Sequence, residues 1–316
     1  MRLTSTALLI LLSLGCGKTH FVLAPTTGTD TTFAVESRPE HSVSGNVVLV
    51  SIDGLRPDAI AAFNAPTLTK LVSEGSYTLS ATTILPSKTL PSHTSMLTGE
   101  LPDRHGVLWN TAYNDRPGTL GIPTIFGAAR SRGYRTAAFF SKSKFSHLQV
   151  PGTLDYSQSP GGWFGRWSSS STLDDVEKYL RGAAPNLLFV HLTDPDAAGH
   201  SYGWMSREYG RGVLRADAAL ERLLRAADNA YGEGEYTIIV TADHGGNGRD
   251  HGSDHVFDVT IPWIAWGRGV MPGEIVSTKV RTVDTASTVL FLLGLDEPRG
   301  WAGVPIRNAF SVAVND

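Results

Sequence analysis

Asn46-Val47-Val48-Leu49-Val50-Ser51-Ile52-Asp53-Gly54 is the stretch that decides the architecture. A nearly continuous apolar run of this length reads as a strand buried on both faces, and an acidic residue stands at its carboxyl end. Open α/β sheets bind ligands just beyond the carboxyl ends of their strands, so Asp53 lies where a site is expected. Residues 135–140, 187–192, 237–241 and 261–266 read as further strands, and residues 66–74, 94–98, 173–181, 212–230 and 285–293 as helices. This alternation predicts an α/β fold with a largely parallel central sheet and helices on both faces.

The 316 residues are 41% hydrophobic and 18% charged, a balance that supports one sizeable core. A net charge of −3 provides no basic field for a nucleic-acid duplex, so smaller substrates are expected. At the amino end, Arg2, the apolar stretch at residues 7–12 and the Gly15-Cys16 pair read as an export signal over residues 1–16. The apolar part is too short to span a bilayer. Cys16 is the only cysteine, which excludes an intramolecular disulfide and gives no support to a cysteine-ligated metal. Its position resembles the lipid-attachment site of bacterial lipoproteins, although Ser13 and Leu14 depart from the usual residues. The expectation is an exported lipoprotein, periplasmic or at the cell surface, with membrane association through a lipidated Cys16. Residues 17–45, threonine-rich at Thr26, Thr27, Thr29, Thr31 and Thr32, read as a flexible tether, and residues 46–316 as one folded domain. A Gly-, Trp- and Ser-rich loop at residues 161–171 either lines a ligand site or packs on the body.

Four segments carry candidate chemistry: Asp53-Gly54, Asp196-Ala197-Ala198-Gly199-His200, Asp243-His244-Gly245 and His251-Gly252. Singly, each fits a helix cap or a core hydrogen bond. Together they offer three carboxylates and three imidazoles, a donor set suited to two borderline divalent ions such as zinc. Paired ions about 4 Å apart are the usual clamp for phosphoryl transfer. The nucleophile would come from the hydroxyl-rich turn Pro86-Ser87-Lys88-Thr89-Leu90-Pro91-Ser92-His93, which feeds a helix whose amino end favours an anion. Composition leaves Ser87, Thr89 and Ser92 open.

In order along the chain, six motifs resemble the nucleotide pyrophosphatase/phosphodiesterase family of the alkaline phosphatase superfamily. They are Ser51-Ile52-Asp53-Gly54, Lys88-Thr89-Leu90-Pro91-Ser92-His93, Thr98-Gly99-Glu100-Leu101-Pro102-Asp103-Arg104-His105-Gly106, Asp196-Ala197-Ala198-Gly199-His200, Ala242-Asp243-His244-Gly245 and His251-Gly252-Ser253-Asp254. The resemblance implies a two-zinc hydrolase of small phosphate esters with Thr89 as nucleophile, a phospho-threonine intermediate and retention at phosphorus. It implies that Asp53, Thr89, Asp243 and His244 hold one zinc, that Asp196, His200 and His251 hold the other, and that Asn110 binds a phosphate oxygen. His255 is the alternative to His251, which is preferred for the Gly252 that follows it and for its distance from Ile264-Ala265-Trp266-Gly267. His93 and His105 are expected to fix loops. His191 stands where several members have a tyrosine near the phosphate, and either donates to substrate or ends its strand.

The pattern also departs from the family. Six residues separate His244 from His251, where nucleotide-cleaving members carry a long insert, so no long cap insert is expected. Leu90 replaces an aromatic residue that stacks on the base. A phosphodiester, a phosphomonoester and a phosphonate therefore stay open as substrates. A formylglycine-type sulfatase is disfavoured because no C/S-x-P-x-R run surrounds Thr89. The non-enzyme alternative is a lipoprotein binding module that kept the fold.

Overall fold

A computed structural model describes residues 42–111, 120–162 and 165–311. The expected export signal, Cys16 and the tether before residue 42 lie outside the described residues, as do Trp163 and Phe164 of the Gly-, Trp- and Ser-rich loop. Seven strands form one sheet: β1 Val47–Ile52, β2 Ser76–Thr82, β3 Thr136–Phe139, β4 Tyr156–Gln158, β5 Leu187–Leu192, β6 Thr237–Thr241 and β7 Thr260–Gly267. Their spatial order is β2-β7-β6-β1-β5-β3-β4. From β6 to β4 every pairing is parallel, while β7 runs antiparallel to β6 and β2 antiparallel to β7. The sheet is thus mixed at one end.

Every residue of β1, β5 and β6 is buried, as near-continuous apolar runs require when helices cover both faces. The helices are α1 Pro57–Ala62, α2 Pro66–Glu74, α3 Thr89–Thr98, α4 Pro102–His105, α5 Ile125–Arg130, α6 Ser169–Leu180, α7 Asp194–Tyr202, α8 Arg207–Tyr231, α9 Val256–Val259 and α10 Thr282–Leu292. Among the described residues no helix is long and apolar enough to cross a membrane.

The five strands read from sequence are present as β1, β3, β5, β6 and β7. The two that escaped are edge strands. In β2 a register shift between Thr78 and Ala81 breaks the period-two pattern, and β4 has only three residues. The helix expected at residues 94–98 begins earlier, at Thr89. Pro91 hides this start, although a proline in the first helical turn forfeits no internal hydrogen bond.

Register is what positions the site. Ser51 pairs with His191 on one side and Thr241 on the other. The residues that follow β1, β5 and β6 therefore leave the sheet at one level and enter a common crevice. Gly54 allows the approach. Its φ is +71°, and a Cβ there would lie 3.0 Å from the Asp196 Cα. Its carbonyl accepts from Trp204 Nε1 and Tyr209 Oη, both at 2.9 Å.

Behind the crevice, α8 buries Tyr209, Val213, Ala216, Leu220, Leu223 and Ala227 at helical spacing. Ser206 caps it, accepting from Tyr209 N at 3.1 Å. Asp217 is buried on the same face, and its two oxygens accept the Thr67 and Leu68 amides at 3.1 and 2.8 Å. These amides open α2 and have no partner within that helix. Asp217→Ala should cost about 1–3 kcal/mol of stability by stranding both donors, with Asp217→Asn losing less. Chemical denaturation followed by circular dichroism measures this, and an unchanged midpoint for the alanine variant would remove Asp217 as the clamp between α8 and α2.

Candidate active site

The crevice collects residues from four segments. Asp53 follows β1, Asp196 and His200 lie one turn apart on α7, Asp243 and His244 follow β6, and His251 sits in the short link before α9. They form two triads, Asp53-Asp243-His244 and Asp196-His200-His251, with the candidate ligand atoms of each within 4.8 Å of one another. The His244 and His251 rings stack at 3.5 Å with 10° between their planes, which sets the triads side by side. The structure brings His251 into this group. His255 instead caps α9, accepting from Phe257 N.

Each carboxylate is divided in the same way. Asp243 Oδ1 accepts the Gly54 and His244 amides at 3.1 and 3.0 Å. Asp53 Oδ2 accepts from His191 Nε2 at 2.9 Å and Lys142 Nζ at 2.5 Å, and Asp196 Oδ2 from Lys142 Nζ at 2.7 Å. The second oxygens, Asp53 Oδ1, Asp196 Oδ1 and Asp243 Oδ2, are buried without a hydrogen-bond partner.

The histidines face those orphaned oxygens. Nδ1 of His200, His244 and His251 donates to the carbonyls of Arg249, Gly245 and Ser87 at 3.0, 2.8 and 2.8 Å. A carbonyl can only accept, so in the neutral ring Nε2 carries a lone pair. Nε2 lies 3.3 Å from Asp196 Oδ1 in His200, 3.2 Å from Asp243 Oδ2 in His244 and 3.7 Å from Asp196 Oδ1 in His251. Lone pairs converging on lone pairs in a buried cavity are satisfied by a cation, and carbonyl-anchored imidazoles are the usual support of metal ligands. The donor set fits two divalent ions.

Charge agrees with this. Burial, with His251 nearby, lowers His244 to about 3, and burial also lowers His251. His200 is raised, first by the Asp196 carboxylate that its Nε2 faces. Burial, then Asp53, pushes Asp243 well above the carboxylate range. Burial raises Asp53 as well, but the Lys142 ammonium and the His191 donor more than offset it and hold that carboxyl well below its usual range. One ammonium bridges two of the three carboxylates, and burial beside Asp53 favours the neutral form of the third.

Thr89 opens α3 beside this cluster, 1% exposed, with its Oγ1 3.5 Å from His244 Nε2. The competing hydroxyls are committed elsewhere. Ser87 Oγ donates to Ser253 O at 2.7 Å, and Ser92 Oγ pairs with Thr83 Oγ1 at 2.7 Å. His93 Nδ1 donates to the Thr89 carbonyl at 2.8 Å and its Nε2 meets Ser51 Oγ at 2.9 Å, so it ties α3 to β1. Asn110 Oδ1 accepts from Leu90 N at 3.0 Å and from Lys144 Nζ at 2.9 Å. Two donors on one oxygen orient the amide and leave its NH₂ group to donate.

His191 is fully buried, takes the Ser141 amide on Nδ1 at 3.3 Å and orients Asp53 through Nε2. It is engaged by Asp53 and does not reach towards a substrate. Lys142 and Lys144 were missed in the sequence. They follow β3 as Ser141-Lys142-Ser143-Lys144, and the rule that singled out Asp53, a polar residue beyond the carboxyl end of a buried strand, applies to them equally.

The sequence profile of the type I phosphodiesterase / nucleotide pyrophosphatase family matches residues 47–260. The chain belongs to that family. Among curated relatives it is similar to GPI ethanolamine phosphate transferase 1 of Emericella nidulans, with 24% identity over 86% of this chain and 35% of the relative. It is also similar to human ectonucleotide pyrophosphatase/phosphodiesterase family member 1, with 24% identity over 63% of this chain and 23% of the relative. The chain thus spans about a third or less of the length of these relatives. Among solved structures, murine ectonucleotide pyrophosphatase/phosphodiesterase 5 superposes with a TM-score of 0.70 at 15% identity, covering 84% of this chain and 100% of the other. Phosphonate monoester hydrolase from Silicibacter pomeroyi does so with 0.63 at 17%, covering 83% and 76%. The fold is that of the alkaline phosphatase superfamily. In this family member Asp53, Asp196 and Asp243 lie beyond strands of a mixed sheet, and only six residues separate His244 from His251.

In this family member α4 leads into the segment that bears Asn110. His105 Nδ1 accepts Val107 N and its Nε2 meets Ser95 Oγ, both at 3.0 Å. Burial lowers His105 to about 4. Its folded pKa lies below the unfolded value of about 6.5, so below pH 6.5 the unfolded chain binds more protons and stability falls with pH down to about 4. His105→Gln should flatten this slope. Denaturation midpoints at pH 7 and pH 4.5 test it, and equal slopes in the two proteins would refute the assignment.

Proposed function

We propose that the chain hydrolyses phosphate esters through a covalent intermediate on Thr89, with two divalent cations, zinc being the expected pair, held by Asp53, Asp243 and His244 together with Thr89, and by Asp196, His200 and His251. The observation that carries this reading is the set of three orphaned carboxylate oxygens facing three Nε2 atoms beside the Thr89 hydroxyl, whose own contact is one of those nitrogens, His244 Nε2. Family membership and the superfamily fold agree with it.

Bound there, divalent cations supply positive charge to the attacking and leaving oxygens and make the threonine hydroxyl acidic enough to react. The remaining work falls to side chains and backbone. Thr89 Oγ1 forms a bond to phosphorus while the ester oxygen leaves with the bonding pair, which yields phospho-Thr89 and an alcohol. Water then attacks the same phosphorus and the P–Oγ1 bond breaks, returning the hydroxyl. Two in-line displacements give net retention. Asn110, oriented through its Oδ1, donates from its NH₂ to a phosphoryl oxygen, and Leu90 N is already engaged by Asn110. His93 holds the Thr89 carbonyl, which fixes the residue bearing the nucleophile.

A second reading comes from the similarity to GPI ethanolamine phosphate transferase 1. An alcohol in place of water at the second step would make the same intermediate a transferase, and added alcohols would then appear as phosphorylated products.

Thr89→Ala should abolish turnover yet still bind two zinc ions per chain, because six of the seven ligands remain. Asn110→Ala should lose roughly 10²- to 10³-fold in kcat, the usual effect of one oxyanion donor. Chelation should silence the wild type and zinc should restore it. Mass spectrometry of acid-quenched enzyme locates the phosphoryl group. Its appearance on Ser87 or Ser92, or inversion at a chiral phosphorus, would overturn the proposal.

A further inference from the structure

Two lysines that the reaction above does not require stand at the reacting end of the crevice. Lys142 is 9% exposed and its ammonium bridges Asp53 Oδ2 and Asp196 Oδ2. Those are the anchored oxygens, so the lysine does not compete for the orphaned ones that face the histidines. Two of its three N–H donors are used, and one is left over. Lys144, two residues further along, spends a single donor on Asn110 Oδ1, whose other partner is the amide next to Thr89. Burial, then the Lys142 charge, lowers Lys144 to about 8, and Asp53, Asp196 and Asp243 oppose that shift, so the ammonium stands within the field of the cluster.

The charges can be matched group by group. Three carboxylates and an ionised Thr89 carry four negative charges, the number that two divalent cations neutralise. The three histidines are held neutral by their carbonyl partners when Nε2 is a ligand. Among the nearby charges outside the cluster, Arg56 is paired with Asp58 and Asp194 with Arg215, both at 2.5 Å. Lys88, whose stem lies over Gly252, adds only the same positive sign at the rim. With both cations bound, Lys142, although paired with Asp53 and Asp196, and Lys144 would leave two positive charges in surplus beside the nucleophile. A phosphomonoester brings two negative charges, whereas a phosphodiester brings one.

We propose that Lys142 and Lys144 adapt this site to a doubly charged phosphoryl group, so that its substrates are phosphomonoesters in preference to phosphodiesters. The proposal rests on the reading of Thr89 and the two triads given above. Lys144 acts as a substrate-binding and specificity-determining residue through its free donors, and Lys142 reaches the same group while holding the two triads together.

The test uses the zinc-loaded full chain. Turnover is compared on 4-nitrophenyl phosphate and bis(4-nitrophenyl) phosphate, and calorimetry compares inorganic phosphate with dimethyl phosphate. The wild type should favour the monoester and bind inorganic phosphate more tightly, each by about tenfold or more, as expected for one extra charge-assisted contact. Lys144→Met should cut kcat/KM on the monoester and the affinity for inorganic phosphate by about tenfold or more, and change the affinity for dimethyl phosphate by less than about threefold. Lys144→Arg should recover most of the loss at unchanged zinc content. Equal weakening of both ligands would show that Lys144 acts only by orienting Asn110 and would overturn the proposal. A wild type that prefers the diester would overturn it without any variant, even if Lys144→Met failed to fold. Diester cleavage with phosphoryl trapped on Thr89 defeats this inference alone. Failure to cleave either ester, with Thr89 unlabelled, defeats the underlying reading.

Discussion

Three carboxylates cannot share a buried cavity unless positive charge joins them, because taking each ion from water costs several kcal/mol that only close counter-charges repay. Asp53, Asp196 and Asp243 lie under this constraint, being 0%, 4% and 0% exposed. Lys142 answers it for two of them, while burial and the neighbouring Asp53 push the third, Asp243, towards its neutral form. What is left over is the set of orphaned oxygens that faces the imidazoles. The polarity of the site follows from that remainder.

The rest of the structure holds those oxygens in place. Each aspartate gives one oxygen to the scaffold, so its rotamer is fixed before any ligand arrives. Each imidazole gives Nδ1 to a backbone carbonyl, which fixes both its ring and its tautomer. Gly54 is where these supports meet. Its amide holds Asp243, its carbonyl holds Trp204 and Tyr209, and its missing Cβ admits the backbone of Asp196. Trp204 in turn lies edge-on to His200 and His251, closing the space behind the second triad. Such a site keeps its shape with few moving parts, as an arrangement aimed at developing charge needs.

The same economy distinguishes Thr89 from its neighbours. All three hydroxyls of the turn are buried, but two of them close loops. Ser87 joins the segment after His251, and Ser92 joins the end of the β2 connection. Thr89 Oγ1 meets only the candidate ligand His244, and the backbone of Thr89, not its side chain, is what His93 grips.

Much of this was legible in the order of residues. An unbroken apolar run such as Val47–Ile52 must be covered on both faces, so the α/β class follows from solvation alone. Residues after such runs must fall at one edge of the sheet, which marked Asp53, Asp196 and Asp243. Asp196 and His200 share a helix face by their four-residue spacing. Other features depended on the tertiary structure, because they arise between segments far apart in the chain. Only the register of β1 against β5 and β6 put three loops at one height. The three-dimensional contacts alone separated Thr89 from Ser87 and Ser92, turned His191 inward to Asp53, and set His251 in the cluster and His255 on a cap. The Lys142 bridge was hidden for the same reason. A lysine in a polar loop is ordinarily a solvated charge, and its burial between Asp53 and Asp196 is decided by packing that no local pattern of residues records.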